Sequence, residues 1–99
     1  MQIGRQELVQ QIDQARWEWL LPHQKRDALI WVNGMLELAE VGERLAADDA
    51  ASVQAWLASH MIAKPSPDQL DEWNRQPERM FAMLVVSPFV LIQETSDSE

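Results

Sequence analysis

A run of apolar residues, Trp17, Trp19, Leu20 and Leu21, halts at Pro22-His23 and resumes as Ala28-Leu29-Ile30-Trp31-Val32. This interruption constrains the fold more than any other feature, because a helix has to hand over to a strand between the two runs. Three of the five tryptophans stand at that joint. Leu8, Ile12, Ala15 and Trp19 line one face of an amphipathic helix, which predicts a first helix from Arg5 to Trp19. Pro22 disfavours helical geometry at Leu21 and predicts the helix end there, leaving His23 to Asp27 as a polar connector. Ala28 to Val32 is short, continuous and apolar, as in a strand covered on both faces, and Asn33-Gly34 supplies the turn after it.

Further along, Leu38, Val41 and Leu45 form a stripe that fades at Ala46-Ala47-Asp48-Asp49. Asp48 or Asp49 can cap a second helix carrying Val53, Trp56, Leu57 and His60, so residues 36–60 read as a helical hairpin. Met61 to Lys64 reads as a short strand. Ser66-Pro67-Asp68-Gln69 combines a Ser N-cap, proline at the first helical position and Gln three residues after the cap. It predicts a helix from Pro67 to Arg75, resting on the domain by Leu70 and Trp73. Residues 81–93 are strand-like on either side of Pro88, as one broken strand or two. The expected fold is α+β: one domain over residues 1–93, with a few-stranded antiparallel or mixed sheet and about four helices packed mainly on one face. Residues 94–99 form a polar tail, expected to be disordered.

Composition narrows the function classes. The chain has 99 residues, 46% of them hydrophobic, and 16 acidic against eight basic residues give a net charge of −8. Such a charge repels phosphate backbones and anionic lipid, so neither nucleic acid nor a membrane is an expected partner. The segment Ala50 to His60 carries no Lys or Arg, which argues against a recognition helix for DNA. Cysteine is absent, so disulfides and thiolate metal sites are excluded. The N-terminal residues lack the apolar core of a signal peptide, and a cytoplasmic location is expected.

No catalytic constellation stands out. His23 and His60 have no second histidine or carboxylate at metal-site spacing, and His60 reads as a partly buried packing or capping residue on its helix. The serines lack a nucleophile elbow, Ser66 being a cap, and the three glycines are too scattered for a phosphate loop. Neither an enzyme nor a cofactor or metal is expected. Five tryptophans strain the capacity of so small a core, however, and some should reach the surface, where Trp is enriched at interfaces. By periodicity Trp19, Trp31 and Trp56 face inward, whereas Trp17 and Trp73 are the candidates for a groove or interface. His23, Lys25 and Arg26 form the local positive cluster.

The joined pattern Trp17-Glu18-Trp19-Leu20-Leu21-Pro22-His23, Arg26-Asp27-Ala28-Leu29-Ile30, Ile62-Ala63-Lys64-Pro65 and Ser87-Pro88-Phe89-Val90-Leu91-Ile92-Gln93 resembles a family of small uncharacterised bacterial proteins, number 2288 in the domain-of-unknown-function series. The resemblance spans Leu8 to Gln93 and implies a bacterial origin, without an activity or catalytic residues to carry over. Two functions remain. One is a protein-interaction module with an unidentified partner or with itself, possible as a homodimer and using an apolar C-terminal strand edge. The other is a small-ligand pocket walled by Trp17, Trp19 and Trp31, with His23, Lys25 and Arg26 at its mouth.

Overall fold

In the computed structural model, which describes residues 4–94, the chain runs through α1 (Arg5–Gln11), β1 (Asp13–Arg16), α2 (Trp17–Lys25), β2 (Leu29–Val32), α3 (Leu38–Ala46), α4 (Ala50–Ala58), β3 (Ile62–Ala63), α5 (Pro67–Asn74), β4 (Met80–Val86) and β5 (Phe89–Glu94). Glu94, expected to begin the polar tail, is instead the last residue of β5, paired with Phe81, and the rest of the tail, residues 95–99, lies outside the described residues. The strands form one mixed sheet in the order β1-β4-β5-β2-β3, antiparallel throughout except for the parallel pair β2 and β5. Residues 80–94 are two strands joined by Ser87-Pro88, whose peptide is cis.

The fold is α+β as the sequence predicts, with five helices where about four were expected. Three of them, α1, α3 and α4, cover one face and enclose Leu8, Val32, Leu38, Val41, Leu84 and Leu91. The other face is also sealed, by α2 and α5, around Trp17, Leu20, Leu29, Trp73, Phe81 and Ile92. The expected bias to one face therefore amounts to three helices against two. Strand geometry requires cover on both sides, because Val90, Leu91 and Ile92 are consecutive and all buried, and successive side chains point to opposite faces. On the first face α3 lies close to β4 at Gly42, where an added Cβ would stand 2.6 Å from a Leu84 methyl carbon.

The single helix predicted over Arg5 to Trp19 is corrected to helix, strand and helix. Ile12 is extended, and Asp13 to Arg16 pair antiparallel with Met83 to Met80. A strand ladder thus takes the backbone groups that one more helical turn would have used, a tertiary override of local periodicity. The ladder also prepares α2: the orphan N–H groups of Trp17 and Glu18 donate to the Arg79 and Pro77 carbonyls at 2.8 and 3.0 Å. Nor does α2 stop before Pro22, which lies inside it, so much of the expected 23–27 connector is helical. Pro22 and Glu18, whose carbonyl the missing N–H would have met, are both exposed, and solvent can satisfy that carbonyl.

Three helix ends share one device. After α2, α3 and α4 the chain takes left-handed φ at Asp27 (60°), Asp48 (58°) and His60 (63°). Each closes a Schellman pair: Ala28 N–H donates to His23 O, Asp49 N–H to Arg44 O and Met61 N–H to Trp56 O, at 3.0, 3.0 and 2.8 Å. Of the two expectations for His60, packing or capping, the helix-end role holds, and the residue is exposed where partial burial was expected. Because a left-handed L-residue is strained relative to glycine, His60→Gly is expected to raise stability by about 1 kcal/mol. Chemical denaturation of dilute protein, with an unchanged m-value, checks this.

Candidate functional site

The tryptophans exchange their expected places. Trp17 and Trp73, the candidates for a groove, are each 1% exposed. They pack with Phe81 in a triad whose ring centroids lie 5.1 Å (Trp17–Trp73), 5.8 Å (Trp17–Phe81) and 4.9 Å (Trp73–Phe81) apart, in tilted and edge-on arrangements. The Trp17 indole N–H donates to Asn74 Oδ1 at 2.8 Å, fastening α2 to the end of α5. Trp31 is half-buried against the same cluster, its indole N–H buried without an acceptor. Trp19, placed inside by the continuous-helix reading, is 57% exposed beneath the Arg16 guanidinium, which also pairs with Glu18. The break at Ile12 resets the helical phase and turns Trp17 and Leu20 inward instead.

His23, Lys25 and Arg26 fall at the C-terminal end of α2. Arg26 donates to His23 Nδ1, and the next residue, Asp27, pairs with Lys64 beyond β3. Cations complement a helix C-terminus, which carries the negative end of the dipole, so this cluster suits helix termination better than capture of an anion. The structure thus joins Trp17, Trp31 and Trp73 in one core and leaves Trp19 and the basic cluster outside it. Among the described residues no group of three or more His, Asp or Glu is arranged to hold a metal, and no helix is long and apolar enough to cross a membrane.

The C-terminal strands do not supply a free sheet edge: β4 lies between β1 and β5, and β5 between β4 and β2. The edges are β1 and β3, and both are guarded. On β1 the Gln14 N–H donates to the adjacent Asp13 Oδ1 at 2.8 Å, whereas β3 is two residues long and leads into Lys64-Pro65.

The unpartnered surface is on α4. Its sequence, Ala50-Ala51-Ser52-Val53-Gln54-Ala55-Trp56-Leu57-Ala58, contains no ionisable residue and is largely apolar, yet none of its residues is buried. Val53 and Trp56 lean on the core, while Ala51, Gln54, Ala55, Leu57 and Ala58 are exposed, Leu57 by 47%. At its N-terminal elbow with α3, a recess of about 150 Å³ is lined by Arg44, Leu45, Asp48, Asp49, Ala50 and Val53. At the other end, backbone bonds from Met61 N–H to Trp56 O and from Asn33 N–H to Met61 O tie α4 to the turn after β2. Gln93 Nε2 secures that turn from β5, donating to the carbonyls of Asn33 and Leu36 at 3.0 and 2.7 Å. The turn presents Met35, 87% exposed. None of these residues entered the predicted site. Their sequence signal is the charge-free stretch 50–59 in an acid-rich chain, a pattern that by itself fits a buried helix equally well.

Asp49 caps α4. Its side chain accepts from the Ser52 hydroxyl at 2.9 Å, from the Ser52 N–H at 3.2 Å and from Arg44 Nη1 at 3.1 Å. The two Ser52 hydrogen bonds are the main cause that holds its carboxyl below the ordinary value of 3.8; desolvation opposes them, and the Arg44 charge and hydrogen bond add a lesser lowering effect.

Residues 3–94 match the family described as "Protein of unknown function (DUF2288)". The fold is also similar to the NMR solution structure of PA1075 from Pseudomonas aeruginosa, at 33% sequence identity and a TM-score of 0.80, covering 91% of this chain and 82% of that one. No curated protein matches the chain.

Two outcomes follow from this geometry. Trp17→Ala should cost about 3–5 kcal/mol in chemical denaturation, whereas Trp19→Ala should stay within roughly 0.5 kcal/mol of the parent, the reverse of what periodicity alone implies. A lowered native carboxyl value contributes stability that is fully present above pH 3.8 and lost as the pH falls through the native value. Thermal unfolding measured from pH 6 downward should accordingly fall less steeply in Asp49→Asn, which retains a capping oxygen but does not titrate.

Proposed function

Since the chain belongs to the family of proteins of unknown function numbered 2288, we propose that it is a non-enzymatic protein-interaction module of the bacterial cytoplasm, docking through α4. One observation carries this reading: a largely apolar nine-residue helix with no ionisable side chain lies on the outside of a protein of net charge −8, and none of its residues is buried. Isolated exposed hydrophobic residues are ordinary, but a continuous uncharged helix that exposes Leu57 and is tied at its end to the segments carrying the pliable side chains of Met35 and Met61 has the composition of a contact surface. The guarded sheet edges support docking through a helix face over strand addition. A pocket walled by tryptophans draws less support, because Trp17 is occupied by Trp73 and Phe81 and Trp19 stands apart.

A photo-crosslinking residue at Gln54, with the same residue at exposed Glu78 as the control, tests the reading in the host cell. Discrete higher-mass products from position 54, absent from position 78 and abolished by Leu57→Glu, are expected. If position 54 yields nothing beyond the control, α4 is not a docking surface.

A further inference from the structure

Building on the α4 reading, we infer that the partner is a second copy of this chain, packed antiparallel through α4 about a twofold axis at Gln54. Three features of the helix make it complementary to itself under that rotation. The first is shape. Ala50, Val53 and Leu57 follow one another at spacings of three and four along one side of α4, with Gln54 beside them. The recess lies at the Ala50 end and the exposed Leu57 side chain near the other. Antiparallel pairing sets Leu57 of the second copy opposite Ala51, beside the recess, whose apolar walls are Leu45, Ala50 and Val53 and whose remaining lining is Arg44, Asp48 and Asp49. A void of about 150 Å³ accepts a benzene-sized group, so a leucine side chain fits. The twofold makes the same contact twice, as an isologous interface requires.

The second feature is charge. Asp48 and His60 are exposed and stand before and after α4, each with left-handed backbone, Asp48 at the end of α3 and His60 at the end of α4. Antiparallel pairing about Gln54 places Asp48 of one copy opposite His60 of the other at both ends, and an imidazole N–H can donate to a carboxylate in either protonation state. The opposed helix dipoles reinforce this arrangement. Within α4 no side chain is ionisable, and Asp49, just before it, is engaged by Arg44 and Ser52 of its own copy, so two copies of net charge −8 meet along an uncharged helix. The third feature is the axis itself. Gln54, an exposed polar residue in mid-helix, meets its own copy there, and a carboxamide is both donor and acceptor. Small neighbours, Ala51, Ala55 and Ala58, permit close approach of the two backbones. A contact of one short helix per copy sits at the low end of specific interfaces, below about 1,200 Å², so the dimer should depend on concentration.

The natural sequence has no cysteine, which makes the test clean. Sedimentation equilibrium of the full chain should show a monomer–dimer equilibrium, weakened at least about tenfold by Leu57→Glu with an unchanged circular dichroism spectrum. Gln54→Cys, on the axis, should form a disulfide-linked dimer under copper–phenanthroline much faster than Glu78→Cys. Ala51→Cys mixed with Leu57→Cys should cross-link faster than either alone. A chain that stays monomeric at all concentrations, or a Gln54→Cys rate no greater than the Glu78→Cys control, overturns the second copy as partner. In that event heterologous photo-products from position 54 in cells would leave the docking function standing, and their absence would remove both.

Discussion

Three consecutive buried residues in β5, Val90, Leu91 and Ile92, set the terms for the rest of the molecule. A pleated strand sends neighbours to opposite faces, so this run is stable only where both faces of the sheet are covered. Leu91 joins Leu84 and Val32 beneath α1, α3 and α4, whereas Val90 and Ile92 join Phe81 and Leu29 beneath α2 and α5. With β4 on one side and β2 on the other, β5 has no edge to offer a partner. The same requirement that creates the core thereby leaves neither C-terminal strand at an edge of the sheet.

The two layers are unequal in chemistry. The α2/α5 side is closed by an aromatic triad and a hydrogen bond from Trp17 to Asn74, a directional arrangement that fixes two helices with few residues. On the other side α3 is applied closely to β4 at Gly42, and α4 lies beyond α3 at the margin, resting by Val53 and Trp56. Its remaining surface is left to solvent although its composition is that of an interior helix. That mismatch between composition and burial is the most direct functional indication the molecule offers.

Local chemistry and global fold agree in much of the chain. The Ser66 capping box and Pro67 mark α5, and Ser66 and Gln69 exchange both predicted bonds. The strand at Leu29–Val32, the turn after it, the Asp49 cap and the helical hairpin are likewise where the residues imply. Three helix ends were hard to read because Asp27, Asp48 and His60 occupy the left-handed position that glycine usually advertises. Asp and His tolerate that conformation, but their presence elsewhere is too common to act as a signal. Of the predicted site residues, Trp31 and the basic cluster of α2 keep part of their expected setting. Trp17, Trp19 and Trp73 do not.

The sequence alone determined the α+β class, the family and the identity of most secondary elements, since caps, turn residues and apolar runs act over a few positions and need no distant partner. Only the tertiary structure decided which side of each element is inside. Whether Leu8 to Trp19 is one helix depends on β4, more than sixty residues away, whose ladder draws Asp13 to Arg16 into the sheet and shifts the phase of everything up to Lys25. Whether an uncharged helix such as α4 is core or surface depends on how many layers cover it. Periodicity describes a face, and only the packing of the other elements decides what that face meets.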